Sequence, residues 1–389
     1  MAGSRGLQPG EPERRRLIGT VVGDVVGDPS AAIKYGYLFD ELARSMCLLD
    51  VLDASLDGFD RWWNAARTFH PRIRLWKERF YKNVPAFRSR SSRIQERIRR
   101  LHPDADVVLQ IGTLFDSRWK NLGLPSAIYT DYTSALSARH RPIDRSPFSN
   151  ENLQIWLGLE REAYHNTHHI FARSGTVRTS LIEDYDVPES RISIVGGGVN
   201  LAELPEVISR TASREPTVLF VGKELHRKGG DLALEAFADV RKRNPNARFV
   251  LVTGDPLPPE LPTDGVEVLP PTWKRDEIRA LYERADLFIL PSRLETWGDV
   301  VLEAMAHGLP CIVSGGEAME EIVQHGETGL VVHDLSAGKL ADAIFDLINN
   351  PACMLRMGRC GRRRVEREFT WQAVTERMVP VLREIAETN

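Results

Sequence analysis

The chain has 389 residues, 42% hydrophobic and 27% charged, with a formal net charge of −3. That length accommodates two domains with sizeable cores, and the near-neutral balance gives no global bias toward nucleic acid. No apolar run reaches the ~20 residues of a membrane span. The four cysteines, Cys47, Cys311, Cys353 and Cys360, lack C-x-x-C and Cys/His ligand spacings, so they read as reduced cytosolic thiols rather than a disulfide frame.

Residues 1–15 are rich in Gly, Pro, Glu and Arg and are expected to form a disordered tail. Arg14-Arg15-Arg16 precedes only a short apolar stretch, broken by glycines and Asp24, so no signal peptide is expected. Strand-like runs follow at 17–22, 107–112, 127–132, 169–174 and 192–195, with helical patterns such as 31–45 and 89–101 between them. The pattern pauses over the polar, Pro-bearing stretch 200–216. It restarts with strands at 218–221, 249–253, 266–269, 287–290, 311–314 and 330–332, and helices at 230–243, 275–284, 299–306, 337–348 and 356–368. Short apolar strands flanked by helices indicate parallel sheets covered on both faces. Two successive doubly wound α/β units result, a first domain over 16–205 and a second over 206–370. No G-x-G-x-x-G follows a strand, which argues against a nicotinamide or flavin enzyme.

Three stretches carry chemistry. In V-L-F-V-G-K-E-L-H-R-K-G-G-D (218–231) a strand ends at Gly222, a loop gathers Lys223, His226, Arg227 and Lys228, and Gly229-Gly230 opens a helix. Ligands of such sheets bind beyond the carboxyl ends of the strands, and cations beside a helix N-terminus suit a phosphate or diphosphate. The loop also reads as a solvated basic turn. In L-E-T-W-G-D-V-V-L-E-A-M-A-H-G (294–308) Glu295 precedes a helix and Glu303 lies inside it, in an apolar setting. A buried carboxylate there needs a donor, from the protein or from a ligand hydroxyl such as a ribose. The plainer alternative makes both glutamates surface charges. In the third, C-I-V-S-G-G-E (311–317) and G-E-T-G-L-V-V (326–332) place glycines where the backbone must turn or be approached closely.

In combination the motifs G-K-E-L-H-R-K-G (222–229), P-S-R-L-E-T-W-G-D-V-V-L-E-A-M-A-H-G-L-P (291–310), G-G-E (315–317) and G-E-T-G-L-V-V (326–332) resemble the second domain of the retaining GT-B glycosyltransferases, glycosyltransferase family 4. The similarity covers residues 165–370 well and the first 160 only in outline. It implies a GT-B fold: two Rossmann-like domains facing across a cleft, with a C-terminal helix, 371–389, crossing back onto the first. It also implies a retaining transfer of a sugar from a UDP- or GDP-linked donor to an acceptor hydroxyl, without a metal ion or other cofactor. Lys228, and Lys223 in place of the family's arginine, would bind the donor diphosphate. Glu295 would face the sugar as the catalytic carboxylate, with the backbone of Thr296, Trp297 and Gly298 at the sugar hydroxyls. Glu303 would accept from the nucleotide ribose, and Trp273 stands where the base would lie. Asp104 and Asp106 read as a strand lead-in rather than a metal site.

The first domain departs from the family pattern. Pro125–Thr133 lacks the histidine expected near the sugar; either Asp131, the ionisable group closest to that place, substitutes for it as a catalytic residue, or the acceptor is held differently. The usual Gly-Gly loop after the first strand is replaced by V-G-D-P-S (26–30), where Gly27 still permits backbone approach to the diphosphate. Segment 72–100 holds 11 Lys/Arg against Glu78 and Glu96, interleaved with Trp76, Phe80, Tyr81 and Phe87. It suits peripheral contact with anionic lipid or a charged acceptor, and equally a basic solvated face with its aromatics in the core; nucleic acid is not expected. The partners implied are the sugar nucleotide and a glycan, glycolipid or small-molecule acceptor, in a cytoplasmic enzyme that is peripheral at the inner membrane face if 72–100 meets lipid. A nucleotide-sugar epimerase of the same architecture and a catalytically inactive sugar-nucleotide-binding protein are the rival readings.

Overall fold

A computed structural model describes residues 14–121, 123–140, 147–206, 215–316 and 318–387. Most of the tail expected at 1–15, the stretch 207–214 beside the expected domain junction, and Glu317 lie outside the described residues.

The first sheet comprises β1 (Arg16–Val21), β2 (Cys47–Asp53), β3 (Val107–Ile111), β4 (Ser126–Thr130), β5 (His169–Ala172) and β6 (Ile192–Ile194), in the order β2-β1-β3-β4-β5-β6. The second comprises β7 (Thr217–Val221), β8 (Arg248–Val252), β9 (Val266–Leu269), β10 (Leu287–Leu290), β11 (Cys311–Ser314) and β12 (Gly329–Val332), in the order β12-β11-β10-β7-β8-β9. Every pairing in both sheets is parallel. Helices cover both faces, so the inner strands β3, β4, β10 and β11 are buried along their whole length, which is why they read as continuous apolar runs. β2 escapes the sequence reading. It is C-L-L-D-V-L-D on the sheet edge, mostly half-buried, and its two aspartates interrupt the apolar run by which the inner strands are recognised.

The helix Trp371–Ala386 returns to the first sheet. Its Val374, Met378, Leu382 and Ile385 share one core with Leu17, Leu38, Leu42 and Leu109. Thr370 caps it, its Oγ1 accepting from the Ala373 N–H at 3.1 Å. The two strands of chain that join the halves run against each other: the Val199 N–H donates to the Phe369 carbonyl at 2.8 Å, and Trp371 Nε1 donates to Asn200 Oδ1 at 3.2 Å. A Cβ on Gly198 would come within 2.4 Å of the Trp371 ring, so glycine lets the crossings touch.

The carboxyl ends of the two sheets face one another. Arg173, just past β5, pairs with Asp299, in the connection after β10, at 3.4 Å. Glu321 of the second half accepts from the Gly175 and Thr176 N–H groups at 2.9 and 3.4 Å, where the helix Gly175–Glu183 begins and its dipole favours an anion. A cleft between strand ends is where open α/β folds bind ligands. Asp104 and Asp106 are taken up by Arg16, at 3.1 and 3.0 Å, and tie the lead-in of β3 to β1.

Segment 72–100 divides. Arg90 is buried and donates to the Tyr81 carbonyl at 2.7 Å, Arg97 donates to the Asp53 carbonyl at 2.5 Å, and Lys82 pairs with Glu78 at 3.5 Å. Phe87 is fully buried. Much of the segment is thus an inward-facing helical layer, while Arg74 reaches Asp255 of the second half at 3.3 Å.

Leu382→Ala removes a fully buried side chain from the returning helix. It should cost about 2–5 kcal/mol of unfolding free energy, read by urea titration; a loss below about 1 kcal/mol would mean that this helix is not part of the core.

Candidate functional site

The second domain brings two strand-end loops into contact. Gly229 follows the basic loop after β7, with φ +73°, and a Cβ there would lie 1.9 Å from the Pro291 carbonyl oxygen. Only glycine combines a left-handed backbone with that approach. Further bonds stitch the loops: Arg293 N–H to the Arg227 carbonyl at 2.9 Å, Arg227 Nη1 to the Leu294 carbonyl at 2.8 Å, and Arg293 to Asp231 at 2.6 Å.

Between these loops Lys228 Nζ donates to the Glu295 carboxylate. Glu295 is 6% exposed and also accepts from the Thr296 N–H at 3.2 Å. Burial alone would raise its pKa; the Lys228 ammonium and Arg227 guanidinium outweigh it and hold the carboxyl below its ordinary value. The site therefore presents a desolvated anion already paired with a cation. Lys223 stands exposed at the end of β7, its carbonyl accepting from the Gly254 N–H at 2.9 Å. Gly298, at φ +105°, is the N-cap of the helix Asp299–Ala306, so the helix start points its positive end at this region.

Glu303 has found its donors within the protein. Arg275 Nη2 donates to Oε1 at 3.2 Å and the Tyr282 hydroxyl to Oε2 at 3.1 Å. Burial nevertheless dominates and raises the Glu303 pKa. Two buried carboxyls eight residues apart are thus pushed in opposite directions. Trp273 is 56% exposed beyond β9, and Gly27 lies exposed in a turn whose Val26 N–H is accepted by Asp24 at 2.9 Å.

Trp297 contributes its side chain elsewhere. The indole is 2% exposed, meets Phe369 edge-on at 6.0 Å, and its Nε1 would be 2.8 Å from a Cβ on Gly197. Its N–H is buried and has no hydrogen-bond partner among the described residues. The loop that carries Glu295 is thereby seated against both crossings between the domains. Opposite it, Asp131 is exposed at the end of β4. Arg173 is buried, donates to the Tyr129 hydroxyl at 2.8 Å, and keeps its charge because Tyr129, Asp299 and Asp131 outweigh its desolvation.

Residues 215–350 match the family model described as glycosyl transferases group 1. Over these residues the chain is similar to the glycosyl transferases group 1. Among curated relatives, a glycogen synthase of Mycobacterium tuberculosis is 28% identical over 57% of this chain, and the match spans about half of that protein's length, 54%. A D-inositol 3-phosphate glycosyltransferase of Corynebacterium aurimucosum is 26% identical, over 69% of this chain and 68% of its own. A sucrose-phosphate synthase structure from Thermosynechococcus elongatus superposes with a TM-score of 0.68 at 20% identity, covering 96% of this chain and all of that one. The fold is GT-B.

The motifs of the sequence singled out Lys223, Lys228, Glu295 and Glu303, and the structure brings Lys228 and Glu295 into direct contact. The residues that the motifs did not single out are the partners. Arg275 and Tyr282 lie 28 and 21 positions from Glu303, and Arg173 lies 126 from Asp299, so spacing carries no trace of them. Arg173 had one local sign, a charged residue directly after an apolar strand. A shallow pocket of ≈ 400 Å³ lined by Phe237, Arg241 and Pro262 sits at the far end of the helix Gly230–Arg243, away from this arrangement.

Gly229→Ala should force the loops apart, lowering stability by about 1–3 kcal/mol in urea unfolding; an unchanged midpoint would show that the close approach is dispensable. Because the folded-state pKa of Glu295 is depressed, its stabilisation is present above the ordinary value of 4.5 and is lost as pH falls through the lower folded value. The melting temperature of Glu295→Gln should therefore lie below that of the parent near neutrality, with the gap closing in acid. A gap independent of pH would refute the pairing.

Proposed function

We propose that this chain is a retaining glycosyltransferase that moves a sugar from a UDP- or GDP-linked donor to an acceptor hydroxyl without a metal ion. The observation that carries the proposal is the buried Lys228–Glu295 pair, set between two strand-end loops at a helix start and facing a first domain. The names of the relatives, a glycogen synthase and a D-inositol 3-phosphate glycosyltransferase, support glycosyl transfer as the reaction class.

Cleavage of a sugar–diphosphate bond leaves negative charge on the departing oxygen. Lys228, Lys223 and the N-terminal end of the helix Asp299–Ala306 are the groups available to stabilise it. The low pKa of Glu295 keeps its carboxylate ionised, and an ionised carboxylate beside the anomeric carbon stabilises the positive charge that develops there. It also accepts from the sugar hydroxyls, with the Thr296–Gly298 backbone beside it. On this reading the acceptor oxygen attacks from the face the diphosphate leaves, and its proton passes to the departing phosphate oxygen, the nearest base on that face. Glu303, held by Arg275 and Tyr282, offers its remaining acceptor capacity to the ribose, and Trp273 the face of its exposed ring to the base. Asp131 and Arg173 belong to the acceptor side, and the Gly27 backbone to the donor diphosphate. The acceptor is a glycan, a glycolipid or a small molecule.

The test starts with thermal stabilisation by a panel of UDP-, GDP- and ADP-sugars, in which a donor at 100 times its Kd adds about 2.7 kcal/mol. With the donor that binds, Lys228→Ala should weaken nucleoside diphosphate affinity about tenfold or more. Glu295→Gln should keep that affinity and lose transfer by about a hundredfold. The product anomer, read by NMR, should match the donor, and chelator should leave the rate unchanged. Inversion, or turnover of the donor to an isomer with no acceptor present, would overturn the reading.

A further inference from the structure

The helix Gly58–Arg67 is inverted relative to an ordinary surface helix. Its one buried residue is polar, Asn64, whose Nδ2 donates to the Phe80 carbonyl at 2.9 Å. Its large apolar side chains face out: Phe59, Trp62 and Trp63 are 73, 63 and 55% exposed. They form a cluster, with Phe59 stacked on Trp63 at 6.4 Å and 9° between planes and Trp62 at 6.4 Å from Trp63. Phe69 and Ile73, 63 and 77% exposed, extend it toward the next helix, Ile73–Tyr81. The elbow between these helices is braced: Trp76 Nε1 donates to the Ala65 carbonyl at 3.0 Å, and Phe69 meets Trp76 edge-on at 5.6 Å. Five large apolar groups thus stay in water on a frame that gives them nowhere to turn, and such a patch marks an interaction surface.

Charge names the partner. From Gly58 to Tyr81, the span of the two helices, the chain carries six Lys/Arg (Arg61, Arg67, Arg72, Arg74, Lys77 and Arg79) against two acids, Asp60 and Glu78, the latter paired with Lys82. Asp60 is occupied from inside, accepting from Ser89 at 2.9 Å with Arg93 at 3.8 Å. Arg61, Arg72 and Lys77 are exposed. A second copy laid on the same face would set these cations against their equals. Indoles ringed by cations match the boundary between anionic headgroups and acyl chains, where amphipathic rings and Lys/Arg both gain.

We propose that the elbow formed by helices Gly58–Arg67 and Ile73–Tyr81 docks the protein on an anionic lipid surface, with Phe59, Trp62, Trp63, Phe69 and Ile73 entering the headgroup layer. The docking face is therefore centred ahead of the basic helix Val84–Leu101. The elbow also stands at the rim of the cleft. It follows β2 at its carboxyl end, and Arg74 within it reaches Asp255 of the second domain. Docked in this way, the cleft opens beside the membrane, and a lipid-borne acceptor enters it without leaving the bilayer; that last step rests on the glycosyltransferase reading, while the docking does not.

The test is co-sedimentation of the full chain with vesicles of phosphatidylcholine, alone or mixed with phosphatidylglycerol. The chain should pellet with the mixed vesicles, remain in solution with phosphatidylcholine alone, and be released by salt. Trp62→Ser/Trp63→Ser should weaken partitioning about tenfold or more, and Arg72→Gln/Lys77→Gln should move release to lower salt. Both variants should keep the parent melting temperature, showing that lost binding is not lost folding. Absence of binding to mixed vesicles, or binding unchanged in both variants, overturns the proposal. So does a dimer by light scattering that Trp62→Ser/Trp63→Ser dissolves, since the patch would then belong to a second copy. Sugar-nucleotide stabilisation is read separately, so a failure there counts against the transfer reaction and leaves the docking result standing.

Discussion

The site depends on the approach of Gly229 to the Pro291 carbonyl. A Cβ would stand 1.9 Å from that oxygen, so the loops after β7 and β10 touch only because one residue has no side chain. Their contact puts Lys228 against Glu295 in a place where neither charge is well solvated. A buried ion pair of this kind is weak evidence for stability, since desolvation offsets much of the attraction. Its value lies in pre-organisation: an ionised carboxylate and a cation are fixed side by side before any ligand arrives.

The same loop answers to the rest of the molecule. Trp297, two residues after Glu295, is wedged against Phe369 and Gly197, where the chain crosses between domains. Asp299, two residues later, pairs with Arg173 of the first domain. Movement of one domain against the other must therefore pass through the segment that holds the carboxylate. Under the proposed transfer reaction, closure over the donor and alignment of Glu295 would be one event, as exclusion of water from an activated donor requires.

Legibility followed physical cause. The inner strands and the helices of the second domain were readable because burial on both faces leaves an uninterrupted apolar run and a clean helical period; 230–243, 275–284 and 299–306 coincide with the observed helices. β2 was unreadable because an edge strand tolerates aspartates. Lys228 was readable as one of several cations gathered at a helix start, and Glu295 as a carboxylate placed directly ahead of another helix. Arg275, Tyr282 and Arg173 were not, because they act from other elements, through contacts that only the folded chain creates. The exposed aromatic elbow was missed for a related reason. F-D-R-W-W-N has the period of an ordinary amphipathic helix, and nothing in the period says that its apolar side faces water.

The central claim is that a donor diphosphate takes Lys228, which together with Arg227 holds the Glu295 carboxyl below its ordinary pKa. Selective carbon-13 labelling of glutamate side chains and an NMR pH titration of Glu295, with and without saturating nucleoside diphosphate, tests it directly. If the phosphate shares or takes the ammonium and adds its own negative charge nearby, the Glu295 pKa must rise on binding. An unchanged or lower value under saturation would mean that the diphosphate lodges elsewhere.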